Sequence, residues 1–268
     1  MPTHSDILAA LLAALADASL AIWEGGSAAN GRSDELSDVD LHVIVADEHV
    51  EEAFCVAQAA LEVLGTLDTP YRLSEPTWHG HSQCFHHIEG TPPTLLVDLV
   101  VMRESAPDHF LDPERHGHGV VHLDRGGYTR APVFDAAAHR ERMVAAREDI
   151  ASRARMFGAF VDKELRRGRT IDAISFYHSL TLRPLLMALG MIHRPLTFDF
   201  GRYAHEDLPE EVLSRLAPLY YVADPAELAL KQAQAHAWLL ELLGSELLGE
   251  DALRTLSEQV RRVTNSTE

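Results

Sequence analysis

The chain has 268 residues, of which 46% are hydrophobic and 24% are charged, the balance of a globular protein with a substantial core. Its formal net charge of −18 argues against binding long nucleic acids through their phosphates, which requires clustered Lys and Arg. No apolar run approaches the roughly 18–20 residues needed to cross a bilayer, so no membrane partner is expected. The first twenty residues do not resemble a signal peptide, and Cys55 and Cys84 indicate no disulfide framework. We therefore expect a cytoplasmic protein.

The N-terminal half is predicted to alternate between helices and strands. An amphipathic helix capped by Ser5 precedes a short strand at residues 20–24. The nearly continuous apolar segment 40–45 predicts a central strand, and a helix follows from about residue 47 to 64. The segment LLVDLVVM, residues 95–102, predicts another buried strand. Weaker strand candidates are TPYRLSE and QCFHHIE.

From about residue 136 the pattern becomes helical. A long helix is predicted to end at Gly168, and a mostly apolar helix with a kink near Pro184 follows it. After a loop, RPLTFDFG, three more helices are predicted in LPEEVLSRLAPLYYV, DPAELALKQAQAHAWLLELLG and EDALRTLSEQVRRV. We therefore predict an α/β (α+β) protein, with a mixed sheet flanked by helices over residues 1–132 and an all-α helical bundle over 133–268.

A glycine-rich turn and a pair of carboxylates follow the first predicted strand. Gly25, Gly26 and Ser27 end that strand, where the missing side chains let backbone amides approach a phosphate. Asp38 and Asp40 open the next strand, and residues two apart on a strand face the same side. Two close carboxylates repel unless a cation lies between them, and Mg²⁺ prefers carboxylate and phosphate oxygens. The spacing predicts binding of a metal–triphosphate complex.

Asp98 is a third carboxylate of interest, because apolar residues surround it within the segment 95–102. A charge in such a strand is costly unless it is paired or bound to a metal. If this strand neighbours the strand of Asp38 and Asp40, three carboxylates converge on one site. That arrangement is typical of two-metal phosphoryl chemistry.

Gly26-Ser27, ten intervening residues, Asp38-Val39-Asp40 and the later Asp98 resemble the polymerase-β-like nucleotidyltransferase superfamily. Within it, the segment GSAANGRSDELSDVDL is similar to the small antibiotic- and metabolite-modifying members. These include the aminoglycoside and lincosamide nucleotidyltransferases, which append a helical C-terminal domain. The resemblance covers the first half of the chain by motif and the second half only by architecture.

The resemblance implies a Mg²⁺-dependent nucleotidyltransferase with its catalytic domain in residues 1–132. Such an enzyme moves a nucleoside monophosphate, here AMP from ATP or another nucleoside triphosphate, onto a hydroxyl of a small acceptor such as an aminoglycoside-like antibiotic. Asp38, Asp40 and Asp98 would then be catalytic and would hold one or two Mg²⁺ ions. Asp98 would also polarise or deprotonate the acceptor, and Glu89 is the alternative general base.

The same resemblance implies a nucleotide-binding loop. Gly26 and Ser27 would bind the nucleotide phosphates, and we assign Arg32 and Ser37 to the same loop. Many relatives carry an arginine where this chain has Asn30, so Arg32 is the nearby substitute for that cation.

Several alternatives remain open from the sequence. A DxD pair also occurs in metal-dependent glycosyltransferases, and the same fold can serve as a non-catalytic nucleotide- or partner-binding regulatory module. Pairs such as His79 with His81 and His116 with His118 suggest zinc, but no Cys pair or HExxH helix accompanies them. Solvated or pocket-lining histidines are therefore favoured. The acceptor, the preferred nucleotide base and the oligomeric state also remain open.

Overall fold

The computed structural model describes residues 1–249, and its contacts divide the chain into two compact units. The first unit comprises Met1–Val133, and the second begins at Phe134. The boundary expected from sequence, between residues 132 and 133, lies one residue away. The last predicted helix, EDALRTLSEQVRRV, lies outside the described residues.

A six-stranded mixed sheet forms the centre of the first unit, in the spatial order β3-β4-β5-β2-β1-β6. The strands are β1 (Ala21–Glu24), β2 (Val39–Val45), β3 (Tyr71–Arg72), β4 (Ser82–His86), β5 (Val97–Arg103) and β6 (Val120–Asp124). Strands β2 and β5 run parallel to each other, and each other neighbouring pair is antiparallel. The two parallel strands lie in the middle of the sheet, and most of their side chains are buried.

The mixed α/β class is therefore confirmed, as are the strands predicted at 20–24, 40–45 and 95–102. The two weaker candidates are real but shorter than the segments that suggested them. The edge strand β6 was missed because its side chains do not alternate between buried and exposed: Val120 and Val121 are 44% and 49% exposed.

Helices cover one face of this sheet. The helices of the first unit are α1 (His4–Leu15), α2 (Gly26–Ala29), α3 (Val50–Leu64) and α4 (Pro113–His116), with a 3₁₀ turn at Asp47–His49 before α3. Helices α1 and α3 bury their apolar stripes against alternate residues of the central strands, such as Leu41 and Leu99. Thr3, rather than the predicted Ser5, caps α1: its hydroxyl accepts from the Asp6 amide, and the Asp6 carboxylate accepts from the Thr3 amide.

The opposite face of the sheet carries a smaller apolar cluster. Trp23, Ile44 and Met102 pack there beneath Phe110 and a few neighbouring loop side chains. The same face continues toward the beginnings of β2 and β5, where polar side chains replace the apolar ones. The candidate site lies in that part of the sheet.

The second unit carries helices and no strand between Phe134 and Gly249. They are α5 (Ala136–Phe157), α6 (Phe160–Arg166), α7 (Thr170–Phe176), a π-helix (Tyr177–Leu182), α8 (Arg183–His193), α9 (Ala204–Asp207), α10 (Glu210–Tyr220) and α11 (Pro225–Gly244), with 3₁₀ turns at Pro195–Thr197 and Glu246–Leu248. Their buried side chains form one core.

One prediction about these helices was wrong. The single helix expected up to Gly168 is interrupted at Gly158, where a Cβ atom would lie 2.6 Å from the ring of His236 on α11. Near Pro184, where a kink is predicted, a π-helix precedes the proline, and the Arg183 backbone amide donates to the His178 carbonyl five residues back. Proline has no amide hydrogen, so the regular hydrogen-bond ladder cannot pass through it.

Candidate functional site

Two of the three predicted carboxylates lie side by side at the centre of the sheet. In the parallel register of β2 and β5, Asp40 pairs directly with Asp98. Paired residues of neighbouring strands project to the same face and lie about 4.8 Å apart along the hydrogen-bonding direction. Asp38, two residues before Asp40, immediately precedes β2 and is half-buried. The condition for convergence, that the two strands be neighbours, is met.

The glycine-rich turn lies directly against the carboxylate of Asp40. Gly26 has φ +51, and a Cβ atom on it would lie 1.6 Å from Oδ2 of Asp40. The Gly25 amide donates to the Asp40 carbonyl at 2.9 Å, which ties the turn to β2. Only glycine satisfies both the positive φ and this close approach. The turn and the carboxylate therefore form one structural feature.

The remaining residues of the predicted nucleotide-binding loop are held by hydrogen bonds among themselves. The side-chain amide of Asn30 donates to the Gly26 carbonyl at 2.7 Å, so this residue supports the turn. The Ser27 hydroxyl lies 3.4 Å from that of Ser33, and the Arg32 amide donates to the Ser27 carbonyl at 2.9 Å. The fourth residue assigned to the loop, Ser37, accepts from the Asp34 backbone amide at 2.9 Å and donates to Oδ1 of Asp34 at 3.1 Å. The Arg32 side chain is exposed.

A chain of hydrogen bonds, which the sequence reasoning missed, leads to Asp98. The side-chain amide of Gln83 on β4 donates to Oδ1 of Asp98 at 2.6 Å. The side-chain oxygen of Gln83 lies 3.0 Å from Nε2 of His79. Nδ1 of His79 accepts from the His81 backbone amide at 3.2 Å. Because Nδ1 accepts, Nε2 carries the hydrogen that His79 donates to the Gln83 side chain. Alternation within QCFHHIE could have placed Gln83 on the same face as Asp98 once the strand pairing was known.

Several histidines surround Phe110 on the same face of the sheet. The rings of His79, His81 and His116 lie 5.6, 4.6 and 5.2 Å from the Phe110 ring. The His42 ring stacks on Trp23 at 5.4 Å. Burial lowers the pKa of His42 to about 3 and that of His81 to about 4, and the neighbouring imidazoles act in the same direction. His42 and His81 are therefore neutral at physiological pH.

The cluster does not form a zinc centre. Within residues 1–249, no group of three or more His, Cys, Asp or Glu side chains is arranged to hold a metal ion. Phe110 occupies the space among the rings, and Nδ1 of His42 and Nε2 of His81 are buried without a hydrogen-bond partner. These histidines are packed side chains with apolar neighbours.

A second polar group lies beneath the glycine-rich turn. Glu24, the last residue of β1, is only 6% exposed, and its Oε2 lies 2.8 Å from Nε2 of His122 on β6. His4 at the start of α1 contacts the same carboxylate at 3.9 Å and donates from Nε2 to the Asp38 carbonyl at 3.2 Å. Glu24 thus connects α1, β1 and β6 at the entrance to the turn.

Glu89, the alternative general base, lies away from the paired carboxylates. Phe85 is the β4 residue opposite Asp98, and Glu89 follows it by four residues, roughly 13 Å along an extended chain. Its amide donates to the Thr66 carbonyl in the turn beyond β4, and the residue is exposed. The geometry favours Asp98 over Glu89 beside the Asp40 carboxylate.

Asp40 and Asp98 carry the oxygen donors that a magnesium–nucleotide complex would require, although the described residues form no complete metal site. Mg²⁺ is commonly bound by one or two carboxylates together with substrate phosphates and waters, rather than by a complete protein cage. Asp40 and Asp98 provide such a partial set on one face, and the turn at Gly26 lies against it. The set is incomplete without the phosphate oxygens.

Comparison of the chain with models of known protein families and with curated proteins finds no match. Within residues 1–249, no helix is both long enough and apolar enough to span a membrane.

Proposed function

We propose that this protein is a Mg²⁺-dependent nucleotidyltransferase of the polymerase-β-like type, acting on a small hydroxyl-bearing acceptor. The observation that carries this proposal is the in-register pairing of Asp40 with Asp98 beside the turn at Gly26. A glycine turn that approaches one of two adjacent carboxylates suits a triphosphate whose charge is neutralised by a divalent cation.

In the proposed reaction, an acceptor hydroxyl oxygen attacks the α-phosphorus of ATP or another nucleoside triphosphate. The bond from the α-phosphorus to the oxygen that bridges it to the β-phosphate breaks, and pyrophosphate leaves. Asp98 accepts or polarises the hydroxyl proton, with Gln83 holding the carboxylate in place. Asp38, Asp40 and Asp98 are not arranged to hold an ion by themselves. Asp38 and Asp40, with Asp98 as the third ligand, would hold Mg²⁺ only together with the phosphate oxygens, and the ion when bound would offset the charge of the phosphates.

The phosphates would rest on the turn formed by Gly26 and Ser27, with Arg32 and Ser37 at the rim of the same loop. The hydrogen bond from Asn30 to the Gly26 carbonyl keeps the turn formed before the nucleotide arrives. This preorganisation supports binding and positioning, which supply much of the rate in phosphoryl transfer.

The charge of the protein bears on the class of acceptor. A net charge of −18 disfavours DNA or RNA and favours small neutral or cationic hydroxyl compounds, among which an aminoglycoside-like antibiotic is one candidate. We propose a cytoplasmic location for this reaction.

The test is incubation of the protein with α-³²P-labelled ATP and Mg²⁺ in the presence of aminoglycosides, lincosamides and proteins. We expect pyrophosphate release and label on an acceptor, both abolished in the double variant Asp38→Ala, Asp40→Ala. Asp17→Asn, an exposed aspartate on the loop after α1, is the matched control and should keep full activity.

Pyrophosphate release that persists in the double variant would contradict the mechanism. Mg²⁺-dependent nucleotide binding without turnover of any acceptor would indicate a regulatory module instead. A preference for a nucleotide sugar over a nucleoside triphosphate would indicate a glycosyltransferase.

A further inference from the structure

The two carboxylates belong to a longer row of side chains that crosses the sheet. Asp98 on β5 pairs with Phe85 on β4, and Phe85 pairs with Tyr71 on β3. Directly paired residues project to the same face. Tyr71, Phe85, Asp98 and Asp40 therefore form one in-register row, from the sheet edge to its centre, on a single face.

The outer half of this row is an aromatic surface that remains open. The rings of Tyr71 and Phe85 stack with their centroids 6.1 Å apart and their planes 26° from parallel. Tyr71 is 65% exposed, and Phe85 is half-buried. We call this pair the aromatic ledge. Packing within the sheet does not account for it, because most of the tyrosine surface stays in solvent.

The ledge lies on the side of Asp98 opposite the glycine turn. Strands are about 4.8 Å apart, so Phe85 is one strand and Tyr71 two strands beyond Asp98, roughly 5 and 10 Å away. Gly26 contacts Asp40, on the other side of the row. If the leaving phosphates rest on the turn, the attacking oxygen must approach from the ledge side, since attacking and leaving oxygens are roughly in line in phosphoryl transfer.

We propose that the aromatic ledge is the acceptor subsite and that it binds the ring which carries the attacked hydroxyl. This inference rests on the proposed function, because the direction of attack comes from it. The substrate class is a hydroxylated ring compound, such as a sugar or cyclitol, whose flat apolar face lies on the two aromatic rings. A protonated amine on that ring adds attraction to the aromatic faces and to the nearby carboxylates.

The experiment compares Tyr71→Ala with Tyr71→Phe, which keeps the ring and removes the hydroxyl. Tyr221→Ala is the matched control, since Tyr221 is also an exposed tyrosine, at 75%, but lies in the second unit. Calorimetry measures binding of Mg²⁺ with α,β-methylene-ATP, which cannot transfer its nucleotidyl group. Binding and KM are then measured for a panel of aminoglycosides and lincosamides, with ethanolamine as the acyclic hydroxyl compound.

We expect Tyr71→Ala to raise the Kd or KM for ring acceptors about 10-fold or more, while nucleotide affinity stays within about twofold. Tyr71→Phe and Tyr221→Ala should behave as the unmodified protein. Phe85→Leu, which removes the ring and keeps a similar apolar volume, should give the same loss as Tyr71→Ala if the native fold persists by circular dichroism.

If Tyr71→Ala bound ring acceptors with unchanged affinity, the aromatic ledge would not be the acceptor subsite, and the proposed function would still stand. The same conclusion would follow if the unmodified protein bound nucleotide but no ring compound of the panel, or used ethanolamine equally well. A protein that binds no Mg²⁺–nucleotide would overturn the proposed function and the ledge together.

Discussion

The hydrogen bond from Gln83 to Asp98 offers a sharp test of how the site is organised. Gln83→Leu keeps nearly the same side-chain volume and removes the amide that donates to Oδ1 of Asp98 at 2.6 Å. It also leaves Nε2–H of His79 without the acceptor that it has at 3.0 Å. The variant therefore removes one of the contacts that hold the carboxylate in the position in which it faces Asp40.

The expected size of the effect comes from the charge on Asp98. A hydrogen bond to a charged group contributes roughly 1.5–3 kcal/mol, which corresponds to about a 10- to 150-fold change. Loss of a residue that orients a metal ligand usually lowers metal affinity or activity by about 10- to 100-fold. We therefore expect kcat/KM to fall about 10- to 100-fold, and the Mg²⁺ concentration for half-maximal activity to rise. His79→Phe, which acts one bond further from Asp98, should give a smaller loss.

The assay is pyrophosphate release over a range of Mg²⁺ concentrations, with Tm measured in parallel. Gln58→Leu is the matched control, because Gln58 also donates from Nε2 to a carboxylate, that of Glu62 at 2.8 Å, but on the surface of α3. Activity of Gln83→Leu within twofold of the unmodified protein would refute the orienting role. A lower Tm with an unchanged Mg²⁺ dependence would show that the residue serves only the fold.

Two further predictions concern the turn and the histidine cluster. Gly26→Ala should abolish transfer, because its Cβ would lie 1.6 Å from Oδ2 of Asp40, whereas Gly31→Ala, at φ +63 with no atom within 4 Å, bears only the backbone strain and should keep activity. Equal losses in the two variants would show that strain, and not the clash, is responsible. The folded-state pKa of His81, about 4, lies below its unfolded value of about 6.5, so the unfolded chain binds more protons between these values. Stability should fall as the pH drops through that window, by about 1.4 kcal/mol per pH unit for this residue. Urea unfolding measures the free energy of unfolding at pH 7 and at pH 5. The loss of stability between these pH values should be about 2 kcal/mol smaller in His81→Gln than in the unmodified protein. An equal loss in both proteins would contradict the lowered pKa of His81.

Local patterns were sufficient where one element determines its own conformation. The apolar segments at 40–45 and 95–102 predicted the central strands, because a strand buried on both faces needs apolar side chains at nearly every position. The carboxylates within those segments stood out for the same reason. The break at Gly158 was not predicted, because it depends on the close approach of α11. The edge strand β6 was not predicted either, because it depends on pairing with β1.

The sequence by itself determined the mixed α/β class, the central strands and the residue types that suit a metal and a phosphate. Only the tertiary structure decided that Asp40 lies opposite Asp98, that Gln83 donates to Asp98, and that the aromatic ledge continues the same row. The physical reason is register. Side chains alternate with a period of two, so a shift of one residue between strands would send Asp98 or Phe85 to the helix-covered face, and nothing local to either strand specifies that alignment.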